Sequence, residues 1–213
     1  LLLLLLLKKI TSSKQPTYAD NICLLRFGIL TFKIQTMKTL VIHPEDKTTN
    51  FLKPIYTDIT DATILTGGLS KDEVRELIKE HDRIIMLGHG SPGGLFGVGK
   101  FECSYIIDET MVKALSNKPN NIYVWCNADK FMEQHPTLQG FYSGMFISEV
   151  GEARMYDIDA SQDVVNESNN LFADIVGKNI MMESRNICGM AQFYYYIEGN
   201  KVSAFNNQRL YYR

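Results

Sequence analysis

The stretch RIIMLGHGSPGG, residues 83–94, joins an apolar run to a glycine-rich segment, with a histidine at the junction. A continuous apolar run such as residues 83–88 is typical of a β-strand that is covered on both faces, as in a parallel sheet. The glycines and the proline that follow break this pattern. We therefore expect His89 to lie where a buried strand ends and a loop begins.

Similar apolar runs recur along the chain and alternate with helical patterns. Further strands are predicted at KTLVIH (38–43), ATILTG (62–67), NIYVWC (121–126) and GMFISEV (144–150). Helices are predicted after the capping box of Ser70 and Glu73, after Asp108, and over residues 161–178. This alternation predicts an α/β fold in three layers, with a mostly parallel sheet and helices on both of its faces.

The first 36 residues differ from the rest of the chain. They open on seven leucines, a run far shorter than the roughly 20 residues that a membrane span needs. Lysines follow this run, whereas a signal peptide has its positive charges before it. MKTLVIH, from Met37, has the form of a first strand. We expect Met37 to be the natural start, residues 1–36 to be an extension outside the fold, and residues 37–213 to form a single domain.

Charge and cysteine content restrict the classes of function. A net charge of −2 and a pI near 6.1 give no general attraction to nucleic acids or anionic membranes. The four cysteines include no CxxC pair, so we expect free thiols and a cytoplasmic location. Neither a metal site nor a cofactor is expected, since few histidines are present and the glycine-rich loop matches no nucleotide-binding motif.

Two of the predicted strands lead into chemically reactive side chains. RIIMLG precedes His89, and NIYVW precedes Cys126. Because the carboxyl ends of parallel strands meet at one edge of a sheet, an imidazole and a thiol are expected together there. These are the partners of a cysteine nucleophile, and the N–H groups of Gly90 and Cys126 are candidates for an oxyanion hole. His43, at the end of the first strand, is a reserve base.

A strand ending in His-Gly, a crossover and a strand ending in Cys resemble the caspase-like cysteine peptidases, which include caspases, metacaspases, gingipains, clostripain, separase and bacterial CHAT domains. The resemblance covers roughly residues 38–178 as an order of elements. VWCNAD differs from the Q-A-C-x-G of caspases, so the resemblance is to a divergent, bacterial-type member.

The resemblance implies a caspase-like three-layer fold and hydrolysis of a peptide or protein substrate through an acyl-enzyme, without metal or cofactor. It makes His89 the catalytic histidine, Cys126 the nucleophile and Gly90 a contributor to the oxyanion hole. GMFISEVGEA resembles the strand and loop that shape the family's pocket for the residue before the cut. Glu149 and Glu152 are therefore candidates to face a basic side chain there.

Other interpretations stay open at this stage. Asp129 follows Cys126 closely and is a candidate to orient His89, to line the pocket or to cap the next turn. A catalytically inactive domain that binds partners at the same loop-rich edge is the alternative to a peptidase, and it would bury Cys126 inertly. The aromatic residues near the carboxyl terminus are expected to complete the sheet and core or to form a partner surface.

Overall fold

The computed structural model describes residues 37–213, so the predictions for residues 1–36 fall outside it. Its strands are β1 (Thr39–Ile42), β2 (Thr63–Leu65), β3 (Arg83–Leu87), β4 (Gly90–Ser91), β5 (Gly94–Phe96), β6 (Tyr105–Ile107), β7 (Ile122–Val124), β8 (Phe141–Ser143) and β9 (Leu210–Tyr212). Its α-helices are α1 (Lys71–Glu80), α2 (Val112–Leu115), α3 (Ala128–Gln134), α4 (Val150–Met155), α5 (Gln162–Lys178), α6 (Ser184–Glu198) and α7 (Lys201–Asn207). Two 3-10 helices span Lys47–Ile55 and Glu109–Met111.

The strands form a large and a small sheet. The large one has six strands in the order β2-β1-β3-β7-β8-β9. Its neighbours pair in parallel except β9, which is antiparallel to β8. The small one is antiparallel, in the order β4-β5-β6. The prediction of an α/β fold with a mostly parallel sheet is therefore confirmed.

Side chains of the central strands alternate between two hydrophobic cores. On β3, Ile84 packs in a core that includes Ile78 of α1. Its neighbour Ile85 packs in a second core that includes Phe172 of α5 and Ile187 of α6. Successive side chains of a strand point to opposite faces, so both faces of the sheet carry helices, as the sequence predicts.

Local signals for helix starts agree with the structure. Ser70 and Glu73 form the reciprocal capping box at the start of α1. Ser161 caps α5 by accepting a hydrogen bond from the backbone N–H of Val164. Asp108 caps the 3-10 helix that leads into α2. Each of these caps satisfies N–H groups that the first turn of a helix leaves without an internal partner.

The strand predicted over residues 144–150 is wrong. The strand at this place is β8, which ends at Ser143, and α4 begins at Val150. Phe146 and Ile147 are buried, which explains the apolar sequence. The backbone N–H and C=O of Ile147 pair with the side chain of Asn206 instead of a neighbouring strand, so this segment is satisfied without joining the sheet.

The aromatic carboxyl-terminal region serves more than one purpose. β9 completes the sheet beside β8, and Tyr195 of α6 is buried in the second core. Phe193 and Tyr196, on the same helix, are exposed. The expected completion of the sheet and core is therefore confirmed, whereas a partner surface at these exposed aromatic residues stays a prediction.

Candidate functional site

His89 and Cys126 lie in the wall of one cleft at the carboxyl edge of the large sheet. They follow β3 and β7, which are neighbouring parallel strands whose register pairs Leu87 with Val124. Leu87 and Val124 both face the second core, and His89 and Cys126 each come two residues later along their strands. Both residues therefore leave neighbouring strands at the same edge of the sheet and line the same cleft.

The remaining cleft wall is mostly apolar. Phe51 and Leu52 come from the 3-10 helix Lys47–Ile55, and Phe146 comes from the loop after β8. The rings of Phe51 and Phe146 are stacked, with their centroids 6.4 Å apart. The cleft encloses about 20 Å³ of free space, roughly the room that one water molecule needs. The observed conformation of the cleft is therefore closed to a peptide.

Cys126 is partly buried, and its thiol is held in a hydrogen bond. Sγ donates to the carbonyl oxygen of Phe146 at 3.6 Å. Burial raises the pKa of this thiol to about 11, and the negative charge of Glu152 adds to the effect. In the closed cleft the thiol is therefore protonated at neutral pH.

A tight turn places Cys126 between β7 and α3. Asn127, the next residue, has a left-handed backbone with φ of 66°, which asparagine tolerates better than most residues. The carbonyl of Trp125 accepts hydrogen bonds from the N–H of Ala128 at 3.2 Å and from the hydroxyl of Ser143 at 3.0 Å. The direction in which Cys126 leaves the strand is consequently well determined.

Trp125 contributes to the wall of the cleft, and its side chain packs in the first core and is 1% exposed. Its Nε1 donates to the carbonyl of Ser91 at 3.2 Å. Its ring lies against Gly90, where a Cβ would come within 2.3 Å of the indole Cδ1. Glycine at position 90 is therefore required by close packing, and the bulky side chain before Cys126 holds the β4–β5 hairpin against β7.

The glycine-rich stretch after His89 forms this hairpin. Gly90 lies opposite Leu95 in the hairpin. The pair before it, His89 and Phe96, is hydrogen-bonded, because the N–H of Phe96 donates to the carbonyl of His89 at 2.9 Å. Bonded and non-bonded pairs alternate in an antiparallel ladder, so the N–H of Gly90 points away from β5. This orientation leaves the predicted oxyanion donor outside the ladder.

The imidazole of His89 contacts a residue that sequence reasoning missed. Its Nε2 lies 2.6 Å from Oγ1 of Thr48, near the start of the 3-10 helix Lys47–Ile55. Asp46 caps this helix, and Asp-x-Thr is a typical helix-start pattern that the sequence displays. The pattern indicates a helix start but carries no information on its contact with His89.

His43 does not act as the reserve base that its strand-end position suggests. The side chain is 2% exposed, with Nδ1 at 3.0 Å from the hydroxyl of Tyr56 and Nε2 at 3.1 Å from that of Thr49. Burial, aided by the positive charge of Lys53, lowers the pKa of His43 to about 4. With both nitrogens bonded, His43 stabilises the packing of the 3-10 helix instead.

The three acidic candidates are not among the residues that line the cleft, and each has a different environment. Glu152 does not follow a strand; its carboxylate accepts hydrogen bonds from the N–H of Ser148 at 2.7 Å and of Glu149 at 3.1 Å, at the start of α4. Glu149 is exposed at the cap position of that helix. Asp129 lies on α3 beside Gly144, and its Oδ1 is buried without a hydrogen-bond partner among residues 37–213. His89 is bonded to Thr48 rather than to Asp129.

Among residues 37–213, no three His, Cys, Asp or Glu side chains are grouped in a way that would hold a metal ion. The helices in this part of the chain are too short or too polar to cross a membrane. Comparisons of the chain with protein-family models, with curated proteins and with solved structures give no significant match.

Proposed function

We propose that the chain is a caspase-like cysteine endopeptidase in which His89 and Cys126 hydrolyse peptide bonds through an acyl-enzyme. The observation that carries this proposal is the placement of both side chains in one cleft, at the carboxyl ends of adjacent parallel strands. Gly90 follows His89 directly and its N–H lies outside the β4–β5 ladder, so it is the candidate amide donor for the developing oxyanion, while Gly90 itself does not line the observed cleft.

The reaction uses only groups of this cleft and water. His89 takes the proton of the Cys126 thiol, and the thiolate sulfur bonds to the substrate carbonyl carbon. When the carbon–nitrogen bond breaks, the proton on His89 passes to the leaving amine. Water, deprotonated by His89, then displaces sulfur from the thioester, which releases the acid and returns the proton to Cys126.

We infer that the narrow cleft is the resting state of the proposed peptidase. The thiol pKa of about 11 keeps Cys126 protonated, and the stacked rings of Phe51 and Phe146 belong to the wall of a cleft with little free space. A substrate must therefore separate these rings, after which proton transfer to His89 accompanies attack. The thiolate therefore forms during attack on the substrate and not spontaneously at neutral pH.

Peptide acyloxymethyl ketones varied at the residue before the reactive ketone test the proposal, because they imitate a substrate carbonyl. Mass spectrometry after incubation with the full chain is expected to find the label on Cys126 and to lose it in His89→Gln. Cys103 and Cys188, both free thiols with raised pKa, are internal controls. Absence of label from Cys126 in the folded wild type, with every member of the set, would overturn the peptidase.

The same cleft also supports a second candidate, a catalytically inactive caspase-like domain that binds partners at this edge. The observation in its favour is the partly buried Cys126, whose thiol pKa is raised and whose Sγ–H is already bonded to Phe146. This candidate expects Cys126 to react with iodoacetamide only when the protein unfolds. A peptide or protein substrate and a cytoplasmic location remain predictions in either case.

A further inference from the structure

A chain of hydrogen bonds runs from the start of the 3-10 helix Lys47–Ile55 to His89. Oδ1 of Asp46 accepts from the backbone N–H of Thr48 at 2.8 Å and from its hydroxyl at 2.7 Å. The same hydroxyl oxygen lies 2.6 Å from Nε2 of His89. The Asp46 carboxylate, the Thr48 hydroxyl and the His89 imidazole are therefore connected one after the other by hydrogen bonds. Thr48 and His89 are 41 residues apart in the chain and come together only in the folded protein.

The direction of each bond follows from the number of protons available. The two bonds from Thr48 lower the pKa of Asp46, so this carboxyl is ionised at neutral pH and can only accept. The single hydroxyl proton of Thr48 points to Asp46, and Oγ1 must then accept from His89. Nε2 therefore carries the proton in the neutral ring, and Nδ1 is the basic nitrogen.

We propose that Thr48 and Asp46 are positioning residues that hold His89 as the Nε2–H tautomer, with Nδ1 left to take the proton of Cys126. The inference rests on the proposed peptidase and adds the third and fourth members of its site. It assigns to Asp46 and Thr48 the orienting role that the sequence suggests for Asp129.

The arrangement also suits the charged state of the ring. When Nδ1 receives the thiol proton, the bond from Nε2–H to Thr48 remains, and the Asp46 carboxylate faces the new positive charge through one hydroxyl. A hydrogen bond to the charged form of a group favours that form. Loss of Thr48 should therefore remove both the tautomer preference and part of the stabilisation of the imidazolium.

The protonation of the two ring nitrogens is the primary test, because it requires no peptidase activity. Long-range proton–nitrogen NMR of the full chain, with labelled histidine and at about pH 8, where an ordinary imidazole is neutral, distinguishes the tautomers. Wild type is expected to show a protonated Nε2 at His89. Thr48→Val should give a mixture of tautomers, and Thr48→Ser, which keeps the hydroxyl, should restore the wild-type spectrum.

Labelling of Cys126 by the peptide ketones is the second readout. General base catalysis contributes about a hundred- to ten-thousandfold, and we expect a misoriented base to lose about tenfold or more of the rate in Thr48→Val. Asp46→Asn keeps an acceptor for Thr48 but removes the charge, so a smaller decrease is expected. Thr57→Val is the matched control, because Thr57 is an exposed threonine whose hydroxyl donates to the backbone carbonyl of Lys53, near the far end of the same helix.

Failure of this inference differs from failure of the proposed function. An unchanged His89 tautomer in Thr48→Val, or an equal loss of labelling in Thr57→Val, overturns the positioning role while the peptidase stands. Conversely, a Thr48-dependent tautomer in a wild type whose Cys126 takes up none of the ketones overturns the peptidase, and with it the catalytic purpose of the hydrogen-bond chain.

Discussion

The carboxyl ends of β1 and β3 make a natural comparison, because each leads into a histidine and each histidine binds a threonine. β1 and β3 are neighbours in parallel register, and His43 and His89 follow them. The threonines are adjacent in the chain: Thr49 lies against His43, and Thr48 against His89. One helical turn thus contacts both rings.

The difference between the two ends lies in burial and in the second ring nitrogen. His43 is buried, and its Nδ1 is hydrogen-bonded to the hydroxyl of Tyr56. Burial lowers the pKa of the ring to about 4, so His43 is neutral at any pH well above that value. His89 is only partly buried and lines the cleft beside Cys126. A histidine at the end of a parallel strand is therefore available for proton transfer only where the surrounding structure leaves one nitrogen accessible.

Replacement of each histidine by alanine should separate the two roles most strongly. We expect His43→Ala to lower the free energy of unfolding by about 2–4 kcal/mol, because it leaves a cavity and removes the hydrogen-bond partner of the buried Tyr56 hydroxyl, while the Thr49 hydroxyl keeps its bond to the Asp46 carbonyl. His89→Ala should cost less than about 1 kcal/mol. Urea titrations followed by the fluorescence of the single tryptophan, Trp125, measure both. Equal losses would show that the two ends do not differ in this way.

The pH dependence of stability should show the same contrast. The unfolded state binds a proton at His43 below its ordinary pKa of 6.5, whereas the folded state does so only below about 4. Stability from this residue is therefore fully present above pH 6.5 and is lost as the pH falls toward 4. The difference between these two pKa values corresponds to about 3 kcal/mol in the free energy of unfolding.

In His43→Gln this part of the pH dependence should disappear, and urea titrations between pH 4 and pH 7 can detect the change. His89→Gln is the comparison variant. If the free energy of unfolding of His43→Gln changed with pH as steeply as that of the wild type, the low pKa assigned to this buried ring would be wrong.

The residue after His89 provides a smaller, local test. Gly90→Ala should cost about 2–3 kcal/mol, because the new Cβ would lie 2.3 Å from Trp125 and 2.5 Å from the carbonyl of Gly94. Gly93→Ala, in the turn of the same hairpin, has no neighbour closer than 3.2 Å and should cost less than about 1 kcal/mol. Similar losses in the two variants would mean that Trp125 does not restrain the hairpin next to His89.

The two threonines should give the smallest effects. Thr49 is buried, so Thr49→Val is expected to lower the free energy of unfolding by about 1–2 kcal/mol by removing the partner of His43 Nε2. Thr48 is exposed, and Thr48→Val should stay within about 0.5 kcal/mol of wild type. A reversed order in urea titrations would contradict the separation of a structural from a functional threonine.

Strong local patterns explain which elements were predictable. The runs at β1, β3 and β7 are fully apolar, and the caps at Ser70, Asp108 and Ser161 satisfy helix N–H groups through residues close in sequence. The strand prediction for residues 144–150 was wrong because it also relied only on a local pattern. Its apolar residues are typical of a strand, but a side chain 59 residues away, Asn206, satisfies its backbone.

The placement of His89 and Cys126 at one edge was predictable because it depends on strand ends and on the parallel topology. The helix Lys47–Ile55, which covers the cleft, was not, since its contacts with the edge are side-chain contacts between distant residues. Thr48 reaches His89 across 41 residues, and Phe51 stacks on Phe146. Neither pair has a local pattern that would indicate it.

The sequence by itself determined the strands β1, β2, β3 and β7 and the helices α1 and α5, because periodicity and capping act over a few residues. With these strands it also determined that a histidine and a cysteine follow neighbouring strands at one sheet edge. Only the tertiary structure decided that His43 is buried, that Thr48 is hydrogen-bonded to His89, and that the cleft leaves little space around Cys126. Those properties depend on burial and on hydrogen bonds between residues far apart in the chain, which no local pattern encodes.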